Sequence, residues 1–263
     1  MFLEALTYLT TPCPPLARRL GFLREMVSII SRHGRCRKAW APHLTRSQAT
    51  VRQAIEHSAG SRRAVVLGAG LGYDLPLADL IEHFDEVLLV DLVHGPAIRL
   101  AAWRSRRVRL VPHDVTECLE NLIAGQLDVA EPSRFLDDPA VDLVVSLNIV
   151  SQLPTLPGYF LENVAGRDEA KADAIGYALV GAHFRYLEKF NATVCLVGDT
   201  AREVLAPNGT VVETVSALRG ATIPWAGETW SWDIAPLGEE GPGYAIRNRV
   251  IGIPSISEAA PAA

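Results

Sequence analysis

The chain has 263 residues, 49% of them hydrophobic and 21% charged, with a net charge of −5 at pH 7. That length and apolar share suffice for a sizeable core and exclude a disordered chain, while 20 Gly and 17 Pro are too few for a fibrous or low-complexity one. The charge is uneven: residues 1–63 carry eleven Lys and Arg against three acids, and the remainder 14 against 27. Four cysteines (Cys13, Cys36, Cys118, Cys195) lie far apart, with no CxxC pair and no histidine at ligand spacing. This predicts free thiols in a reducing compartment and no metal site. The first fifteen residues contain Glu4 and no basic stretch, so they do not read as a signal peptide. No uncharged apolar run approaches the ~20 residues that cross a bilayer, and the expectation is a cytoplasmic protein without membrane contact.

Residues 2–58 read as helices broken at 11–15 and around His33-Gly34, with Leu20, Leu23, Val27 and Ile30 at helical spacing. A later helix runs from about Thr45 to His57 and stops at residues 58–60. The apolar run 64–67 then enters Gly68-Ala69-Gly70-Leu71-Gly72, the pattern of a buried strand meeting a tight turn. Further strands are predicted at 86–90, 108–111, 142–147 and 193–197, ending at Asp91, Asp114, Asn148 and Asp199, with helices between them, most clearly 168–190. Apolar strands joined by helical crossovers imply a doubly wound, mostly parallel sheet covered on both faces. Segments 209–215, 229–234 and 244–251 alternate, which suggests that antiparallel strands close the sheet, and a seven-stranded sheet is expected. The organisation expected is a helical extension over 1–60, an α/β domain over 61–254 and a flexible tail over 255–263.

In such a sheet, ligands bind beyond the carboxyl ends of the strands. The glycines allow a sharp turn and close approach to a ligand. Asp91, nineteen residues beyond Gly72, is placed to accept hydrogen bonds from both hydroxyls of a ribose. Asp114 is placed to accept from an exocyclic amine such as that of adenine. A dinucleotide fingerprint would need glycine at position 73, where Tyr73 stands.

The segments VVLGAGLG (65–72), VLLVD (87–91), VRLVPHD (108–114) and DLVVSLNIVSQLP (142–154) resemble the class I S-adenosylmethionine-dependent methyltransferases in order and spacing. The resemblance covers about the middle two thirds of the chain. It implies that S-adenosyl-L-methionine (SAM) is the cofactor. Gly68, Gly70 and Gly72 would then border its methionine and ribose part, with Asp91 on the ribose and Asp114 on the adenine amine. The family often has an acid two positions before the first glycine, where Val66 stands, and Asp74 is the substitute considered for holding the cofactor's amino group.

Methyl transfer is an in-line displacement that needs alignment, exclusion of water and sometimes a proton acceptor. The candidates are Asn148 beyond the fourth strand, weighed against a capping role, His183 on the helix before the fifth strand, Asp199 at that strand's end, and His43 in RCRKAWAPH (35–43). His183 is weighed against a satisfied histidine between helix and sheet, and the arginines of residues 35–37 against a solvated face. Trp230 and Trp232 share one face of a strand. The reading is a methyltransferase for a small-molecule acceptor. The alternatives are a non-catalytic methyltransferase-like partner protein and an RNA methyltransferase using the basic front segment, although that segment lacks interleaved aromatics.

Overall fold

The structure is a computed structural model that describes residues 2–262. Helices α1 (Phe2–Thr10), α2 (Pro15–Leu20) and α3 (Phe22–His57) precede the first strand. Gly21 sits at φ 93° and links α2 to α3, a left-handed corner that glycine occupies without a Cβ penalty. The break expected around His33-Gly34 falls two residues later, at Cys36, where φ/ψ is −99°/15° and two helical stretches of α3 meet in a kink.

Strands β1 (Arg63–Leu67), β2 (Glu86–Asp91), β3 (Val108–Pro112), β4 (Val141–Leu147) and β5 (Thr193–Leu205) pair in parallel in the order β3-β2-β1-β4-β5. Their crossovers are α4 (Leu77–His83), α5 (Pro96–Arg104), α6 (Leu119–Ile123), α7 (Thr155–Asn163) and α8 (Glu169–Glu188). The carboxylate of Asp168 caps the start of α8 by accepting from the Lys171 N–H at 2.7 Å. Strands β6 (Val211–Ser216), β7 (Glu228–Ala235) and β8 (Ala245–Ile253) complete the sheet antiparallel, in the order β5-β8-β7. The doubly wound sheet with an antiparallel finish is as expected. Seven strands lie along its path, and an eighth, β6, pairs with the outer half of β5.

Two expectations are corrected. Strand β5 does not stop at Gly198-Asp199 but continues to Leu205, so Asp199 lies inside the strand, beside a bulge. Residues 255–262 are not loose. Ile256 is buried and donates its N–H to Val194 O, Ala226 N–H donates to Ala260 O, and Trp225 bridges to Pro261.

Each face of the sheet carries its own core. Val65, Leu67, Val144 and Leu196 pack with Val180, Phe184 and Leu187 of α8. Val66, Val145, Val197 and Val250 pack with Val51, Ala54 and Ile55 of α3. At about 25 cal/mol per Å², burying side chains of this kind contributes roughly 1.5–3 kcal/mol each. The long helix is therefore one cover of the sheet as well as the link to α1 and α2. Beyond the carboxyl ends of β1 and β2, Tyr8 of α1, Ala17 of α2 and Leu23 and Met26 at the start of α3 pack with Leu71, Leu92 and Val93.

Candidate functional site

The turn after β1 is built for close approach. Gly68 has φ 87°, and a Cβ there would lie 2.6 Å from the Leu147 carbonyl oxygen. At Gly70 a Cβ would lie 2.9 Å from Asp91 Oδ2, the same oxygen that accepts the Gly70 N–H at 2.9 Å. Asp91 also accepts the Val93 N–H at 3.3 Å, and its enclosed carboxyl titrates above the usual carboxylate range because burial disfavours the charge. Gly72 closes the turn at φ 64° against Ile98.

Asp114, beyond β3, already holds its own loop. Oδ1 accepts from the Thr116 N–H and hydroxyl at 2.9 and 2.7 Å, and Oδ2 accepts from the Leu119 N–H at the start of α6 at 2.9 Å. His94 donates Nε2–H to the Leu89 carbonyl at 2.8 Å and is buried, a structural role. His113 joins Arg134 and Glu117 in a partly exposed polar network.

Beyond β1, β4 and β5, on the face covered by α3, four of the sequence candidates meet. Asn148 follows β4 in the left-handed region, φ 48°, which asparagine tolerates better than most residues. Its side chain is hydrogen-bonded to Asp74 and lies 3.2 Å from His43 Nε2. His43 is 1% exposed and accepts the indole N–H of Trp230 on Nδ1 at 3.1 Å. It stacks on Trp232 with ring centroids 4.0 Å apart and planes 6° from parallel. Burial alone lowers its pKa to about 3, so the imidazole is neutral at physiological pH. Asp74 is pushed upward by burial against the Asn148 hydrogen bond.

Asp199 adjoins this group. Its Oδ2 accepts from Asn248 Nδ2 at 2.9 Å and from the Ser151 hydroxyl at 3.3 Å, and its Oδ1 is buried without a protein partner. Burial raises its pKa to about 7, and the nearby Asp74 adds to the rise. Gln152 donates to the Asn148 carbonyl at 2.6 Å. His183 is not part of the group. It is buried under the opposite face of the sheet, where Nε2 meets the Ser146 hydroxyl at 2.9 Å and burial lowers its pKa to about 4.

Sequence reasoning missed Asn248 and the hydrogen-bonding role of Trp230. The signal for Asn248 was present, since Ile246, Asn248 and Val250 are alternate inward positions of β8 and only one of them is polar.

Trp40 donates its indole N–H to Ile234 O at 2.9 Å and packs edge-on against Trp232 at 5.0 Å, so it is a packing residue. The neighbouring arginines pair within the chain: Arg35 with Glu239 and Arg32 with Glu240. Two surface clefts, of about 480 and 400 Å³, lie elsewhere, one along β2 and β3 and the other at the bend of α3. Neither is lined by the Asp74–Asn148–Asp199 group, in which one side-chain atom each of Asn148 and Asp199 is buried without a protein partner. Among the described residues no group of three or more His, Cys, Asp or Glu is arranged to hold a metal ion, and no helix is long and apolar enough to cross a membrane.

No protein-family profile matches the chain, and no curated protein matches it. Several solved structures are similar. The N-methyltransferase NodS from Bradyrhizobium japonicum WM9 is 14% identical over 78% of this chain and 94% of its own, with a TM-score of 0.34. The 1,6-didemethyltoxoflavin-N1-methyltransferase of Burkholderia thailandensis, bound to 1,6-didemethyltoxoflavin and S-adenosylhomocysteine, is 15% identical over 91% and 92%, with a TM-score of 0.37. An rRNA methylase from Streptococcus thermophilus is 11% identical over 77% and 94%, with a TM-score of 0.33. These proteins are methyltransferases, and the mostly parallel sheet with an antiparallel end described above has the architecture implied by the sequence resemblance.

Proposed function

We propose that the protein transfers a methyl group from SAM to a small-molecule acceptor by direct in-line displacement. The observation that carries this reading is the junction of Gly70 with Asp91. There the turn after β1 and the carboxylate ending β2 are hydrogen-bonded, with no room for a side chain between them. A ribose needs such a carboxylate beside a bare backbone. The residues fit the group, because Asp91 stands beside the side-chain-free backbone of Gly70 and Asn148 keeps a buried side-chain atom unpartnered.

In this reading Gly68, Gly70 and Gly72 border the cofactor, Asp91 accepts from its ribose, and Asp74 and Asn148 meet its amino-acid end. Asp114 is the least free of the expected contacts, since three donors already occupy its carboxylate, and adenine would share it with the α6 loop. SAM supplies a methyl group on a sulfonium. The chain supplies the rest. Tyr8 of α1, Ala17 of α2 and Leu23 and Met26 at the start of α3 pack around Leu71, Leu92 and Val93 and exclude water there, which gives the helical extension the role of a lid. His43 is a neutral, fixed wall. Asp199, titrating near neutrality with a free oxygen, is the group that takes a proton from the acceptor.

Against the RNA reading, part of the front segment's positive charge is offset within the chain, since Arg32, Arg35, Arg46 and Arg52 are ion-paired with Glu240, Glu239, Glu228 and Asp79. Calorimetric titration with S-adenosylhomocysteine tests the cofactor assignment. Wild type is expected to bind, and Asp91→Ala to lose most of that affinity. Absence of binding to both SAM and its product would overturn the assignment. Binding without labelled-methyl transfer to any component of a cell extract would favour the non-catalytic alternative.

A further inference from the structure

The hydrogen bonds from Trp230 to Asp74 form a chain in which donors and acceptors can be counted. An indole N–H only donates, so Nδ1 of His43, 3.1 Å from it, carries a lone pair and no proton. A neutral imidazole then holds its proton on Nε2. That N–H points at a side-chain atom of Asn148 3.2 Å away, and this atom has to accept it. Oxygen and nitrogen of an amide are assigned by their partners, so the amide oxygen belongs at this position. The same atom is the hydrogen-bond partner of Asp74 Oδ2. Two oxygens make that contact only with a proton between them, and the sole group able to bring one is the Asp74 carboxyl.

We infer that Asp74 is a neutral carboxylic acid in the ligand-free protein, donating to the side-chain oxygen of Asn148, and that Asn148 turns its NH₂ toward the ligand. The position given to the amide nitrogen is the buried one with no protein partner. It therefore receives a carboxylate or carbonyl oxygen from the ligand. A ligand ammonium engages Asp74 only by displacing the proton: the O–H bond breaks, the carboxylate pairs with the cation, and the proton leaves to solvent.

The groups around Asp74 agree. Asp199 on β5 is a like charge that disfavours ionisation, and His43 on α3 is neutral. The adjacent Tyr73 is held protonated by burial and stacks at 3.9 Å on His33, itself shifted toward neutrality. Among the described residues, no lysine or arginine forms an ion pair with Asp74.

Two measurements test the inference. Infrared difference spectra of ligand-free protein at neutral pH compare Asp74 with Asp74→Asn, both in an Asp199→Asn background that removes the other raised carboxyl of this cluster. A protonated-carboxyl band is expected while Asp74 is present and is lost in the Asp74→Asn variant. Identical spectra would overturn the proposal. So would a failure of Asp74→Asn to fold, because an amide reproduces the acid's hydrogen bond to Asn148. The second measurement rests on the cofactor reading above. Calorimetry with S-adenosylhomocysteine in two buffers of different ionisation enthalpy should show release of about one proton by wild type and none by Asp74→Asn. Equal release by both proteins would also overturn it. If S-adenosylhomocysteine does not bind, the cofactor reading fails, while the infrared comparison still decides the state of Asp74.

Discussion

Asp199 takes two hydrogen bonds on one oxygen and none on the other, inside a strand where it pairs with Val250. Burial lifts its pKa from 3.8 to about 7, so the folded state holds this proton more tightly than the unfolded chain. The sign follows. Asp199 penalises folding least below about pH 4, the penalty grows as pH rises toward 7, and it levels off above. Asp199→Asn keeps an oxygen for Asn248 and Ser151 and abolishes the titration. Denaturant unfolding should show the variant gaining about 2.5 kcal/mol on wild type between pH 5 and pH 8, at about 1.4 kcal/mol per pKa unit. A gap that does not change with pH would refute this.

Trp40 and Trp103 form a second residue-scale contrast. Trp40 is 3% exposed and hydrogen-bonded to Ile234 O, whereas Trp103 is 81% exposed. Replacement by alanine should cost about 3–5 kcal/mol at Trp40 and stay within about 0.5 kcal/mol at Trp103. At this scale the places of Gly68, Gly70, Asp74, Asp91 and Asn148 at the carboxyl ends of parallel strands were legible in the sequence. It was poorer for Asn248 and Trp230, because their place depends on the pairing of β7 with β8, and antiparallel register is set by long-range contacts. His183 illustrates a different difficulty, since a helix histidine beneath a sheet has the same local sequence whichever face it serves.

Helix α3 shows how a local pattern places a bend only to within a couple of residues. Gly34 reads as a break because glycine costs about 1 kcal/mol in a helix relative to alanine. Packing of Val51, Ala54 and Ile55 at one end and Leu23 and Met26 at the other holds the helix together across it. The residual weakness surfaces two residues later as the kink at Cys36. Gly34 is exposed and nothing lies within 4 Å of a Cβ placed there. Gly34→Ala should therefore raise stability by about 0.5–1 kcal/mol in thermal or chemical unfolding. A loss would mean that the kink itself requires glycine. The end of β5 was misjudged for a related reason: Gly198-Asp199 resembles strand punctuation, but β8 pairs along both sides of the bulge and carries the strand on to Leu205.

Across the whole molecule, the basic front segment and the acidic body answer each other. Arg32 and Arg35 reach Glu240 and Glu239 between β7 and β8, and Arg35 holds the Glu239 carboxyl below its ordinary range. These pairs are partly exposed, so each contributes at most about 1 kcal/mol and less in salt. A Glu239→Gln, Glu240→Gln double variant should lose about 0.5–1.5 kcal/mol at low ionic strength and almost nothing near about 1 M salt. A loss independent of salt would show that the contact is not chiefly electrostatic. The charge division near residue 60 was legible in composition, but its partner was not, since residues about 200 positions apart meet only through the fold.

Strand β8 has a consequence for how the protein is made. It is the last strand in the chain, yet it lies between β5 and β7 and pairs with both. During synthesis β7 emerges with no neighbour, and the outer edge of β5 stays open until residues 245–253 arrive. Ile256, which docks on Val194, comes later still. The core thus closes only once residues 245–256 have emerged. A nascent chain stalled before Ala245 would present two unpaired strand edges to its surroundings, where aggregation or chaperone capture competes with folding.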